Sequence, residues 1–341
     1  MQYKLLGNSG LRVSELSLGT MTFGEEWGWG TAKEECKTIF DAYTSAGGNF
    51  IDTANYYTQG SSETILSDLI NTDRDYFVLA TKYTLNMNPK NLNAGGNHRK
   101  NLMQSVHASL KRLDTDYIDL LWLHAWDFTT PADEVMRALD DLVRMGKVLY
   151  IGISDAPAWI VAHCNTLAEL RGWTRFVGLQ IQYNLIERTV ERDLLPMAEH
   201  FGLSVLAWGP LASGILTGKY NPTNTEAQDK RLKENNPRLT VANFAIVDNV
   251  LNIAKEINRP PSQVALNWVR QKADNIIPII GARNLNQLQD NLACLDFSLS
   301  PEQMAQLDEC SKIKLGFPHE FLQSDNVQKL VFGENVGKLD L

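Results

Sequence analysis

The stretch IDLLWLHAWDFTTPADEVMRALDDLVRMGKVLYIGIS, Ile118 to Ser154, decides how the chain is read. It opens on a short apolar run, Ile118–His124, and closes on another, Val148–Ser154. Both read as buried strands. Between them Pro131–Met145 reads as a helix, with proline suited to a first helical turn. A strand, a helix and a second strand in this order imply parallel pairing through a crossover helix.

The same unit recurs outward in both directions. Upstream lie the strands Ser14–Leu18, Asn49–Asp52 and Phe77–Lys82, with helices over Thr31–Gly47, Ser62–Ile70 and His98–Arg112 between and after them. Downstream come helix Ala158–Leu170, strand Val177–Gln182, helix Glu191–Phe201 and strand Leu203–Trp208. Helices Val241–Ile257 and Gln263–Gln271, strand Asn275–Gly281 and helix Leu285–Leu292 complete the series. Eight such units predict a closed (β/α)8 TIM barrel. The rival is a doubly wound open sheet, which the strand count and the absence of a composition break disfavour. The first residues, KLLGNSGLRVS, carry hairpin chemistry around Gly-Asn-Ser-Gly. Asn221–Arg238, rich in Asn, Pro, Thr and charge, reads as a mobile excursion over one barrel face, and the last thirty residues read as a tail of weak periodicity. With no linker, low-complexity tract or repeat, residues 1–341 are expected to form one domain.

Composition narrows the function classes. The formal charge of −8 and the lack of a Lys/Arg stripe argue against a nucleic-acid surface. No run approaches the roughly 18 apolar residues that span a bilayer, and Met1–Ser9 has no apolar signal core, so a cytoplasmic location is expected. Cys36, Cys164, Cys294 and Cys310 form no CxxC pair and read as free thiols in a reducing compartment. The six histidines include no HExxH, so no metal site is expected.

Barrel enzymes carry their chemistry at the C-terminal ends of the strands. Here three successive strands end in Asp52, Lys82 and His124. An Asp–Lys ion pair alone could simply plug the barrel mouth. Tyr57, five residues beyond Asp52, changes its meaning. A phenol has a free pKa near 10, and a neighbouring ammonium stabilises the phenolate. Asp52 would hold Lys82 in place and His124 would hydrogen-bond a substrate oxygen, making a proton-donating site for a carbonyl.

DTANYYTQGSSE, Asp52 to Glu63, resembles the aldo-keto reductase signature D-T-A-x-x-Y-G-x-G-x-S-E, with Thr58 where the family has glycine. LATK ending at Lys82, IDLLWLH ending at His124 and GFPHEFL in the tail are similar to further family segments. LGLQIQYNLIER and WGPLASGILTGKY resemble the branch that includes the voltage-gated potassium channel β subunits. The resemblance spans essentially the whole chain. It implies a hairpin closing the barrel floor, Tyr57 as general acid, Lys82 and Asp52 as its tuning pair, and His124 as the group that orients the carbonyl. Tyr56 is the neighbouring decoy, and only Tyr57 keeps the motif spacing.

Carbonyl reduction needs a hydride that no side chain supplies. GWGTAK lacks a third glycine and a preceding strand, so a Rossmann site is not expected. NADP (as NADPH) is expected instead on the later strands. Trp208 would stack on the nicotinamide, and Ser154, Asp155 and Gln180 would bond its carboxamide; the family's commoner residue at 155 is Asn. Gly209, Pro210, Leu211, Ser213 and Gly214 would cradle the pyrophosphate with Lys219 in the same site. GARNLNQLQDN, Gly281 to Asn291, resembles the family segment that grips the adenosine end, which implies Gly281 and Arg283 at the 2′-phosphate and Gln287 and Asn291, on one helical face, toward the adenine. Met21, Trp27, Trp29 and Trp126, with Phe128, would wall an apolar substrate pocket, although such tryptophans also serve as packing or interface residues. The expected activity is NADPH-dependent reduction of small-molecule aldehydes or ketones, by a chain that can be oligomeric. The alternative is an NADPH-binding redox-sensing or channel-associated subunit with slow turnover.

Overall fold

A computed structural model of the chain describes residues 1–221, 232, 233, 235–336 and 338. Strands β1 (Tyr3–Leu5) and β2 (Arg12–Ser14) pair antiparallel as a hairpin. Then β3 (Ser17–Gly19), β4 (Phe50–Asp52), β5 (Val78–Tyr83), β6 (Ile118–Leu123), β7 (Val148–Ser154), β8 (Phe176–Gln182), β9 (Ser204–Trp208) and β10 (Ile276–Ile280) close a parallel barrel in the order β10-β3-β4-β5-β6-β7-β8-β9. Around it lie helices α1 (Lys33–Ser45), α2 (Ser61–Ile70), α3 (Arg99–Leu113), α4 (Ala132–Arg144), α5 (Ala158–Arg171), α6 (Leu194–His200), α7 (Val241–Glu256), α8 (Pro261–Gln271) and α9 (Leu285–Leu292). The eight-unit barrel is therefore present, and the open sheet is excluded.

The strands are apolar because both of their faces are covered. One set of side chains fills the barrel: Phe50, Val78, Ala80, Leu120, Trp122, Leu206, Ile277 and Ile279. Trp122 fits because its neighbours on β7 and β8 are glycines; a Cβ on Gly152 would lie 2.2 Å from the indole and one on Gly178 2.8 Å from it. The opposite faces pack on the helices. α4 turns Val135, Met136, Leu139 and Leu142 inward, and full burial of each such side chain contributes roughly 1.5–3 kcal/mol.

The hairpin closes the N-terminal end of the barrel. Leu6 and Val13 join the interior cluster, Gly7 N donates to Ser204 Oγ at 2.7 Å, and Lys4 Nζ donates to the Ile276 carbonyl at 3.0 Å. That leaves the other end, where the strands finish, for chemistry.

Several boundaries differ from the sequence reading. Ser14 belongs to the hairpin, so the first barrel strand starts at Ser17. His124 lies one residue beyond β6. The helix expected over Glu191–Phe201 is a 3-10 turn, Thr189–Glu191, and then α6, because Asp193 leaves helical geometry at φ −133°. The tail holds α10 (Pro301–Cys310), α11 (His319–Leu322) and α12 (Asp325–Phe332). For α10 the signal was present: Ser300 and Gln303 form a capping box and Pro301 occupies the first turn. Most of the expected mobile excursion, Asn221–Arg238, lies outside the described residues. Among the described residues no helix is long and apolar enough to cross a membrane.

Candidate active site

At the C-terminal end of the barrel, β4, β5 and β6 bring Asp52, Lys82 and His124 together, as their parallel register requires: Asp52 pairs with Ala80, and Lys82 with Trp122. Lys82 is the pivot. Its ammonium donates to Asp52 Oδ2 at 2.5 Å and to the Thr53 carbonyl at 2.8 Å, and it stands 4.7 Å from the centroid of the Tyr57 ring. Lys82 and Asp52 are buried. Removing one partner of such a pair strands the other charge, at a cost of about 3–5 kcal/mol. Burial alone would lower the Lys82 pKa; Asp52 and Tyr57 more than offset it, and the net direction is up, so Lys82 stays an ammonium.

Tyr57 is half-buried, with its ring edge-on to His124 at 6.0 Å and to Trp27 at 6.4 Å. The neighbouring Tyr56 is exposed. Burial pushes the Tyr57 phenol above its ordinary range, and Lys82 pulls against that rise without reversing it. This corrects the simple expectation that an adjacent ammonium leaves the phenol lowered, because desolvation of the phenolate is the larger effect. The phenol is protonated at neutral pH, the form a proton donor needs. Burial, and secondarily Lys82, push His124 down to about 3, so its imidazole is neutral. Its Nδ1 has no hydrogen-bond partner among the described residues.

Gln180 does something that the sequence does not reveal. Its Nε2 donates to Asp52 Oδ1 at 2.8 Å, so the amide expected at the carboxamide also fixes the second oxygen of Asp52. Asp155 accepts from Trp208 Nε1 at 3.1 Å. Its φ of +43° explains an Asn or Asp at this position, since these side chains tolerate the left-handed region. The expected carboxamide set is thus partly engaged within the protein, and Ser154 is buried beside it.

The loop after β9 has the shape expected of an anion cradle. Gly209 has φ +64°, and Ala212, Ser213 and Gly214 follow at +49°, +58° and +87°. Lys219 lies against Gly214, where a Cβ would be 2.6 Å from its Cε and 2.9 Å from its ammonium, and the φ of +87° favours glycine there. Arg238, which no motif or periodicity marks in the sequence, donates from Nη2 to Ser213 Oγ at 3.2 Å. Two cations beside left-handed backbone fit a pyrophosphate. Pro210 is buried and Leu211 half-buried at the base of this loop.

After β10, Gly281 is exposed with room above it, and Arg283 follows at half-burial. Gln287 Oε1 accepts from Arg283 N at 2.9 Å, and Asn291 Nδ2 donates to the Gly281 carbonyl at 3.2 Å. One end of each amide therefore shapes the loop backbone. On the substrate side, Met21, Trp27 and Trp29 are half-buried, and the two indoles pack at 5.4 Å. Trp126 instead belongs to the core at 9% exposure, and Phe128 is exposed. Among the described residues no three His, Cys, Asp or Glu side chains group as metal ligands, and all four cysteines are free thiols.

Comparison with known proteins agrees with this geometry. A sequence model of the Aldo/keto reductase family matches residues 15–312. The chain is 38% identical over 330 residues to a norsolorinic acid reductase of Aspergillus flavus, covering 93% of this chain and 83% of that protein. It is 37% identical over 341 residues to an aryl-alcohol dehydrogenase [NADP(+)] of Phanerodontia chrysosporium, covering 93% and 87% respectively. A putative aryl-alcohol dehydrogenase of Saccharomyces cerevisiae is 36% identical, with 93% and 88% covered. The chain belongs to the aldo-keto reductase family. It is an NADP-dependent oxidoreductase of small carbonyl compounds.

Proposed function

We propose that residues 1–341 act as one unit that reduces aryl aldehydes and ketones to alcohols, prefers NADPH to NADH, and uses Tyr57 as its general acid. The observation that carries this reading is the buried Lys82–Asp52 pair with its ammonium 4.7 Å from the Tyr57 ring centroid. NADPH, when bound, supplies the hydride that adds to the carbonyl carbon. Tyr57 gives its phenolic proton to the carbonyl oxygen, which completes the alcohol, and takes a replacement proton from solvent. The Lys82 ammonium stabilises the phenolate left behind, and Asp52, held by Lys82 and Gln180, keeps that ammonium in place. Neutral His124 has one ring N–H to offer the substrate oxygen.

Trp208 would hold the nicotinamide, and the Gly209–Gly214 loop with Lys219 and Arg238 the pyrophosphate. Arg283 would hold the 2′-phosphate, whose charge is what separates the two nucleotides. The aryl preference is supported by the paired Trp27 and Trp29 beside Tyr57 and by relatives named for aryl alcohols. The test is consumption of NADPH by the purified protein with benzaldehyde, 2-naphthaldehyde, acetophenone and propanal. Saturable turnover, best with the aryl compounds, is expected. No turnover with any of the four would overturn the reading.

A further inference from the structure

The turn that follows Tyr57 is shaped in an unusual way. Thr58 has φ +46° and ψ 43°, a left-handed conformation that a β-branched residue rarely adopts. Gln59 and Gly60 follow at +56° and +99°. The Thr58 side chain is fully buried, and its hydroxyl serves two partners: it donates to the Phe23 carbonyl at 2.6 Å and accepts from the Ser62 N–H at 3.1 Å in the first turn of α2. Glycine at this position would take the backbone conformation without strain, yet would leave the Phe23 carbonyl and the Ser62 amide without this partner.

Phe23 belongs to the loop from Thr20 to Thr31 between β3 and α1, which carries Trp27 and Trp29. The base of that loop is fixed. Phe23 is fully buried, Gly24 N donates to the Thr31 carbonyl at 3.0 Å, and Thr31 N donates to the Thr22 carbonyl at 2.8 Å. A Cβ on Gly24 would lie 2.8 Å from Thr58 Oγ1, so the two segments touch at a glycine. Ser61 Oγ also donates to Glu26 in the same loop. Tyr57 has its own supports in Lys82 beneath the ring and His124 beside it. Trp27 reaches Tyr57 only ring to ring, at 6.4 Å.

The geometry points to Thr58 as a positioning residue for aryl carbonyls: its hydroxyl clasps the Trp27–Trp29 loop to the Tyr57 turn and so sets the gap between the aromatic wall and the proton donor. This rests on the reading of Tyr57 as the acid and of the loop as substrate wall. The clasp predicts a split between substrates. A compound with a large aromatic body uses the wall; propanal does not.

The experiment is steady-state kinetics of Thr58→Gly and Thr58→Ser with NADPH and either 2-naphthaldehyde or propanal, together with NADPH dissociation constants and thermal midpoints. Thr58→Gly relieves the backbone but removes two buried hydrogen bonds, so the thermal midpoint is read beside the kinetics to show that the variant is folded. Its KM for 2-naphthaldehyde should rise about tenfold, the scale of one lost hydrogen bond, with kcat and propanal turnover within about twofold and NADPH affinity unchanged. Thr58→Ser keeps the hydroxyl and should restore the parent KM. If Thr58→Gly keeps the parent KM, loses both substrates equally, or behaves like Thr58→Ser, the clasp is overturned. The reading of Tyr57 is tested apart from this, because Tyr57→Phe in the same assay reports on proton donation whatever Thr58 does.

Discussion

The two halves of the barrel mouth are built by different means. On the β4–β6 side, the groups that would move a proton are side chains at or just beyond successive strand ends, with Tyr57 in the turn after β4. They hold one another: Lys82 to Asp52 and Thr53, Tyr57 over Lys82, His124 against Tyr57. On the β7–β10 side, the groups that would hold a nucleotide are mostly loop backbone in left-handed turns, with Lys219, Arg238 and Arg283 arriving from loops. A site of side chains on strands is complete before anything binds. A cradle of loop backbone and long cations is shaped for a ligand that carries its own charge. Gln180 links the halves side chain to side chain, through Asp52.

If the halves divide the work in this way, substitutions should separate rate from affinity. The largest effect is expected for Tyr57→Phe, which keeps the ring and removes the proton: kcat should fall 100-fold or more, measured by NADPH consumption with an aryl aldehyde. Retention of more than about a tenth of the parent rate would remove Tyr57 from the role. Lys82→Met comes next. Loss of the ammonium leaves burial unopposed, so the Tyr57 phenol should titrate still higher than in the parent, where it already lies above its ordinary range. An ultraviolet difference titration against Tyr57→Phe reads this shift, and an unchanged titration would break the pairing. The same variant strands Asp52 and should lose about 3–5 kcal/mol of stability in urea unfolding.

Across the mouth, Arg283→Ala should weaken NADPH by about 10- to 150-fold, the range for a charge-assisted hydrogen bond, and leave NADH nearly untouched. Arg283 is the only Arg or Lys between Asn275 and Leu295, so no neighbour in that segment compensates. Equal losses for both nucleotides would make it a structural residue. The smallest effect concerns His124. Its folded pKa of about 3 lies below the unfolded value near 6.5. Between those values the unfolded chain binds a proton that the folded chain refuses, so stability falls as pH drops from about 6.5 toward 3. His124→Gln should flatten that acid slope by up to one proton, and an identical slope in both proteins would show that His124 is not held neutral.

The same contrast explains what could be read from the sequence. Alternating strands and helices made the barrel legible, and strand-end polar residues made Asp52, Lys82 and His124 legible, because a charge that closes an apolar strand is conspicuous. Tyr57 needed its spacing from Asp52. Arg238 and the clasp at Thr58 were not legible, since each depends on a loop meeting a distant segment. The packing of Trp126 was not legible either: composition does not say how far an indole is buried, and only the tertiary fold sets it in the core cluster. For Gln287 and Asn291, helical spacing gave the shared face but not the bonds that each makes to the backbone of the preceding loop.

The central claim is that proton donation and nucleotide binding are separable functions of the two halves. The most direct measurement is the NADPH dissociation constant of Tyr57→Phe, by fluorescence titration at fixed ionic strength, on the same preparation that has lost its turnover. The account predicts affinity within about twofold of the parent beside a kcat at least 100-fold lower. A loss of NADPH affinity that matches the loss of rate would contradict it.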